Sequence, residues 1–328
     1  MNKLLTGIWQ YITGNYRACE FALTNICVAQ CSFCGIWKQQ PKIRVNRQDA
    51  LDTIDHLASL GVRFITLTGG EPLLHPHIAE LVERCTRRGV VTSVLDADPR
   101  LLTEKTVTEL KEAKADFVCI SIDHYTDEIE YQARKIPGLL DHIGNAVDKL
   151  KRAKVRSVAS VLISNFNHTD LRPLMDKCVS LGFDYVSINY PEHSLSPVYE
   201  LGGEMVTLTK MQIIRAIEDV IALKKLGYGI VNPVDSMQNI IRYLKDEPVD
   251  YLCLGGNRVL FVDWFLDVYP CMHLDHSMGN IFNLTENNLL AGKCNACNMS
   301  WYRDFSVYLQ GAKSMVPLFR VICETAKR

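Results

Sequence analysis

The sequence predicts an α/β fold: a partial (β/α)6 barrel of parallel strands, with a small cysteine-rich module at the C-terminal end. Three observations carry the prediction. Between residue 17 and about 190, short β-branched runs alternate with longer amphipathic segments, the rhythm of parallel βα units. Several of those segments stop at a glycine, Gly61, Gly89 or Gly182, where helices are commonly capped. After residue 252 the texture changes to short apolar runs punctuated by four cysteines, Cys253, Cys271, Cys294 and Cys297.

Taken in order, Met1–Tyr16 reads as an amphipathic helix resting on its own domain, since two glycines and few cations make a weak bilayer anchor. Strands follow at Ala18–Thr24, Phe64–Thr68, Val90–Leu95, Phe117–Ile122, Ser157–Ile163 and Tyr185–Asn189. Helices lie between them at Arg47–Leu60, Pro76–Arg88, Thr103–Ala113, Gly138–Ala153 and Asp170–Leu181. Pro191–Thr207 is loop-like, and helices are expected at Lys210–Leu226 and Ser236–Leu244. Arg258–Val262 and Asp267–Tyr269 are strand-sized, with little core of their own around them. The resulting division is an N-terminal helix (1–16), the barrel (17–207), a helical connection (208–252) and the cysteine-rich module with a C-terminal helix (253–328).

Composition bounds the function. The chain has 328 residues, 48% hydrophobic and 22% charged, enough apolar side chain for a full core and too much for disorder. Lys and Arg number 36 against 37 Asp and Glu, so no basic excess favours nucleic acid. No run reaches the roughly 20 apolar residues of a membrane span. A cytoplasmic setting with reduced thiols is expected, because no small-residue cleavage site follows the first apolar stretch.

Parallel sheets present function at the C-terminal ends of their strands. Cys27-Val-Ala-Gln-Cys31-Ser-Phe-Cys34 lies in the loop at the end of the first strand. Three thiolates within eight residues suit three corners of a [4Fe–4S] cube, leaving one iron open. A zinc site would need a distant fourth ligand, the nearest histidine, His56, being on a helix; plain buried thiols are the other reading.

Cys-x3-Cys-x2-Cys with aromatic Phe33 before the last cysteine resembles the radical S-adenosylmethionine (radical SAM) enzymes. So do Gly69-Gly70-Glu71-Pro72 ending the second strand and Ser121-Ile122-Asp123 ending the fourth. The likeness covers residues 17 to about 190. It implies that the open iron chelates S-adenosylmethionine, that an electron from a donor such as flavodoxin or ferredoxin cleaves it to a 5′-deoxyadenosyl radical, and that this radical abstracts a substrate hydrogen. It further implies that Gly69 and Gly70 let backbone approach the methionine moiety, and that Glu71 accepts its ammonium. Ser93, Ser121, Asp123, Ser160 and Asn189 would contact ribose, carboxylate or adenine.

Cys253-x17-Cys271, Gly279-Asn280-Ile281 and Cys294-x2-Cys297 offer four closing thiolates, for structural zinc or for a fully ligated [4Fe–4S] cluster. The segment, with Tyr269-Pro270-Cys271, resembles the SPASM or shorter twitch extension of radical SAM enzymes, which implies an auxiliary cluster. Beyond Cys297 only Cys323 remains, so the single-cluster twitch form is the nearer likeness. That family usually has glycine five residues before the second cysteine, and here the position is Leu266, so the turn is expected to be built differently around Trp264–Asp267. Cys19, Cys85, Cys119, Cys178 and Cys323 read as ordinary buried thiols.

The implied function is an enzyme that oxidises or rearranges a small metabolite, using the auxiliary cluster for electron transfer. Modification of a ribosomally made peptide is the alternative. A metal-stabilised binding or electron-carrier protein is a third reading from another class, against which the intact cysteine triad and Gly-Gly-Glu-Pro argue. No catalytic acid or base is identified; polar candidates at the mouth are His124, Tyr125, Tyr190, Glu192, His193 and Tyr199.

Overall fold

A computed structural model describes residues 16–191, 207–249, 252–274, 276–290, 294–295 and 297–310. The predicted N-terminal helix, most of the 191–207 loop, Glu192, His193, Tyr199 and Cys323 lie outside the described residues.

Six parallel strands form as the sequence predicts: β1 (Arg17–Ala22), β2 (Val62–Thr68), β3 (Val91–Asp96), β4 (Phe117–Ser121), β5 (Arg156–Leu162) and β6 (Tyr185–Asn189). Between them run α1 (Arg47–Ser59), α2 (Ile78–Arg87), α3 (Glu104–Glu112), α4 (Asp127–Arg134), α5 (Leu139–Ala153) and α6 (Leu171–Leu181). The starts follow from local chemistry: the Asn46 side chain accepts the Asp49 N–H before α1, and Thr103 accepts the Thr106 N–H before α3. Gly61, Gly89 and Gly182 adopt positive φ, as the capping signals require. Helix α4 is not predicted from sequence. In it Glu130, Ala133 and Arg134 are buried.

After β6 come α7 (Lys210–Lys225), α8 (Val234–Leu244), β7 (Val259–Val262), β8 (Val268–Tyr269) and α9 (Ser300–Gln310). The sheet order is β6-β5-β4-β3-β2-β1-β7-β8, with β7 parallel to β1 and β8 antiparallel to β7. This departs from a C-terminal module with little core. Val259, Leu260, Phe261 and Val262 are fully buried, in register with Ala18–Phe21, so the apolar run finds its core in the barrel sheet.

The β7–β8 turn shows how the missing glycine is managed. Leu266 takes a φ of 69°, the left-handed conformation that glycine adopts freely and that costs an L-residue roughly 1–2 kcal/mol. The Asp263 carboxylate fixes the turn by accepting the N–H groups of Phe265 and Asp267, both at 2.9 Å. The Leu266 side chain is itself buried, which offsets the strain.

Helix α9 packs against β6, β7 and α8, spanning the open side of the barrel. Leu254 N–H donates to Ser306 Oγ (2.8 Å), Arg258 to the Leu309 carbonyl (2.7 Å), and Tyr308 OH to the Val231 carbonyl (2.6 Å). At the β6 edge Asn232 accepts from Ile188 N–H (2.7 Å), donates to Ile188 C=O (2.8 Å) and donates to Asp304 Oδ2 (2.6 Å). Among the described residues no helix is long and apolar enough to cross a membrane.

Candidate active site

The end of β1 and the end of β2 are stitched together. Gly70 N–H donates to the Thr24 carbonyl (2.7 Å) and Glu71 N–H to that of Ile26 (2.8 Å), immediately before Cys27. Only glycine fits here. A Cβ on Gly69, whose φ is +126°, would stand 2.3 Å from Thr24 O, and one on Gly70 would stand 2.2 Å from Ile26 O. The close backbone approach expected of this motif is therefore made to the cysteine loop. Gly69 also lines the cavity described below.

Cys27 and Cys34 are half-buried and Cys31 is buried. Burial and mutual repulsion push the Cys27 thiol well up, while burial raises Cys31 to about 11, moderated by Arg134. Arg134, from α4, sits with Nη1 3.8 Å from Cys31 Sγ and its guanidinium 5.4 Å from the Phe33 ring centroid. It is held there by Asp123 Oδ2 at 2.8 Å and Glu130 Oε1 at 3.8 Å. The same Glu130 carboxylate accepts the N–H of Asp123, and its own carboxyl is raised to about 8 by burial. This buried network is absent from the sequence prediction. The signal was present as Glu130 and Arg134, four apart on one helix face.

The network takes in one of the expected contact residues. Asp123 is fully buried, pairs with Arg134 and accepts Leu162 N–H (3.2 Å), so it acts inside the protein wall and does not line the cavity. Glu71 is also fully buried, with Oε1 accepting Leu73 N–H (2.9 Å) and Oε2 accepting Ala97 (2.8 Å) and Asp98 (3.1 Å), so its carboxylate ties the ends of β2 and β3. Burial raises that carboxyl to about 7. Pro72 opens the short 3-10 turn after it, and Ser121 is buried away from the cavity.

Phe33, Cys34, Gly69, Ser93, Ser160 and Asn189 do share one space, a cavity of about 530 Å³ inside the barrel. Asn189 Nδ2 donates to Ser160 Oγ (3.2 Å), and Ser93 Oγ lies 3.1 Å from Cys119 Sγ. Cys119 is thus a half-buried wall residue, in contrast to the buried Cys19, Cys85 and Cys178. Of the mouth candidates Tyr190 lines the cavity, whereas His124 is buried, stacked on Tyr125 with ring centroids 4.2 Å apart and bonded to Thr126.

Sequence reasoning missed the far wall. Glu20 from β1 and Trp301, Asp304 and Phe305 from α9 line it. Glu20 accepts the Tyr302 hydroxyl at 2.7 Å, and burial raises its carboxyl to about 7. A folded-state value above the ordinary 4.5 means that the neutral form is favoured by folding; this contribution is full below pH 4.5 and lost as pH rises through about 7. Glu20→Gln is therefore expected to raise Tm at pH 8 by roughly 2–4 °C, the response to about 1 kcal/mol, and to leave it unchanged at pH 4.5. Equal shifts at both values would show that desolvation of the carboxylate is not the cause.

Of the C-terminal cysteines, Cys253, Cys271 and Cys294 lie near one another. Cys253 and Cys294 exchange backbone hydrogen bonds of 2.8 and 3.1 Å. Burial raises Cys271 to about 12, with contributions from Cys253 and Cys294. The Cys297 carbonyl accepts Arg303 Nε at 2.6 Å. Met272 and His273, next to Cys271, line the same cavity as Cys34.

Comparison with known proteins agrees with this arrangement. Residues 21–178 match the Radical SAM superfamily. The chain is 24% identical over 318 residues to the AdoMet-dependent heme synthase of Methanosarcina barkeri, covering 87% of this chain and 89% of that one. It is 31% identical over 134 residues, 40% of each chain, to the GTP 3′,8-cyclase of Chlorobaculum tepidum. Its fold is similar to that of Streptococcus suis SuiB bound to S-adenosylmethionine, with a TM-score of 0.66 at 12% identity over 93% of this chain and 70% of that one.

Proposed function

Residues 21–178 form a radical SAM domain and make the chain a radical SAM enzyme, and from that premise we propose that it oxidises or rearranges a small molecule held inside the barrel. The observation that carries the proposal is the cavity itself, which reaches Cys34 on one side and the residues after Cys271 on the other.

The residues fit the cofactors of such an enzyme. Among the described residues no three His, Cys, Asp or Glu side chains converge as they would around a single ion. The fit of Cys27, Cys31 and Cys34 to a cube rests on donor chemistry: three thiolates in one loop would hold three corners and leave the fourth iron for S-adenosylmethionine. Arg134 supplies positive charge beside Cys31. When bound, the cluster and S-adenosylmethionine supply hydrogen-atom abstraction, given one electron from a carrier such as flavodoxin or ferredoxin. The chain's own part is positional. Phe33, Ser93, Ser160 and Asn189 present an aromatic face and hydrogen-bonding groups to whatever lies beside Cys34, and α9 shields the cavity from water across the barrel's open side.

Cys253, Cys271, Cys294 and Cys297 would hold a second, fully ligated [4Fe–4S] cluster, placed to accept an electron from the substrate. Metal content tests this. Anaerobically reconstituted protein is expected to hold about eight irons per chain, and the Cys27/Cys31/Cys34→Ala variant about four, still brown. A colourless triple variant with about one zinc would defeat the auxiliary cluster and the electron-accepting role. Formation of 5′-deoxyadenosine by the unaltered protein tests the enzyme reading separately.

A further inference from the structure

We propose that the barrel cavity takes a largely apolar, ring-bearing small molecule carrying an amine, with Glu20 and Asp304 as two separate positions on its wall at which the amine can be held; this rests on the small-molecule reading above. The cavity of about 530 Å³ lies within the roughly 300–1,000 Å³ of small-molecule sites, and since S-adenosylmethionine would take the Cys34 side, what remains for a substrate is a small molecule's share of it. Its walls are largely apolar and include several aromatic rings, among them Phe33, Phe64, Phe117, Trp301 and Phe305. Into this apolar space two carboxylates enter from opposite structural origins, Glu20 from β1 and Asp304 from α9, the one 6% and the other 8% exposed.

Neither carboxylate has a cation in salt-bridge contact among the described residues, although Lys224 and Arg303 lie near enough to Asp304 to favour its ionised form. Lys224 is the one Lys or Arg among the described lining residues, and its Nζ donates to the carbonyls of Ile230 (2.7 Å) and Asn232 (2.6 Å). His273 is the only other basic side chain there. A carboxylate accepts about four hydrogen bonds. Glu20 Oε2 takes the Tyr302 hydroxyl at 2.7 Å, and Asp304 Oδ2 takes Asn232 Nδ2 at 2.6 Å, with the Ser236 hydroxyl beside it. Acceptor capacity therefore remains on both. The Tyr190 hydroxyl, on the same wall and 2% exposed, has no hydrogen-bond partner among the described residues. Burial raises both carboxyls to about 7, so an ammonium group nearby would draw them to the ionised form. A ligand carboxylate or phosphate would meet repulsion where an amine meets charge-assisted hydrogen bonds.

Two matched probes test the assignment by equilibrium dialysis against the reconstituted full chain: 2-phenylethylamine and 3-phenylpropionate. The amine is expected to bind at least about tenfold more tightly, a difference of about 1.4 kcal/mol. One of the two variants, Asp304→Asn or Glu20→Gln, is expected to weaken the amine several-fold and to leave the acid no weaker. Equal binding of the two probes, an amine affinity unmoved in both variants, or no amine binding at millimolar concentration would each overturn the proposal. The comparison of probes on the unaltered protein stands even if a variant fails to fold. Dialysis requires no turnover, so a chain that forms no 5′-deoxyadenosine would defeat the enzyme reading while leaving this result to be read by itself.

Discussion

Cys31→Ala protein, reconstituted anaerobically, is expected to form no 5′-deoxyadenosine above background. Cys31 is the most enclosed of the three thiols and the one beside Arg134, so its loss removes a cluster corner and leaves a buried guanidinium facing an empty position. Two thiolates do not hold a cube with one open iron. Cys85→Ala is the control, since Cys85 is fully buried on α2 and takes no part in the triad. Iron should fall by about four per chain in the first variant and stay unchanged in the second, as one cube holds four. Retained cleavage by the Cys31→Ala protein would defeat the triad assignment.

Gly70→Ala is expected to damage stability and iron loading together. The new Cβ would lie 2.2 Å from the Ile26 carbonyl, an atom that must stay in place to accept Glu71 N–H. Backbone cannot swing aside as a side chain does, so the loop carrying Cys27 has to move. Forced overpacking of this kind costs about 1–3 kcal/mol, with loss of the stitching hydrogen bonds adding to it. A Tm lowered by several degrees and an incompletely loaded triad are the readouts. Gly144, inside α5, is the contrasting position: a Cβ there first meets Leu181 Cδ2 at 3.4 Å, and Gly144→Ala should be neutral or stabilising. A Gly70→Ala protein with unchanged Tm and full iron would show that the β1–β2 stitch is not what positions the cysteines.

Much of the barrel was legible because its strands and helices announce themselves locally. Tyr185–Asn189 forms over the very residues predicted, and each glycine cap falls where a left-handed residue is needed. The cysteine triad and Gly69-Gly70 were legible because spacing alone carries them. Long-range pairing was not. Nothing in the Asp127–Arg134 run distinguishes a surface helix from one that buries Arg134 between Asp123, Glu130 and Cys31, since the partners are brought together only by the fold. Helix α9 mixes aromatic and polar residues around its whole circumference, so its pattern did not reveal that Asp304 would face a cavity from which β1 presents Glu20. Glu71 was placed at the right strand end, but spacing alone did not reveal that its carboxylate accepts three backbone N–H groups.

The amide of Asn232 has a bearing on solubility. A terminal strand normally presents unpaired N–H and C=O groups onto which a strand of another molecule can add. Here Val186 is paired with Gly229 and Val231, and the next free pair, on Ile188, is taken by the Asn232 side chain in the manner of a neighbouring strand. The β6 margin of the sheet is thereby sealed against intermolecular strand addition by four residues of irregular chain. Because Asn232 also holds Asp304 on α9, any substitution there would bare a sticky margin and loosen the helix across the barrel in one step, so self-association and loss of cavity closure should appear together.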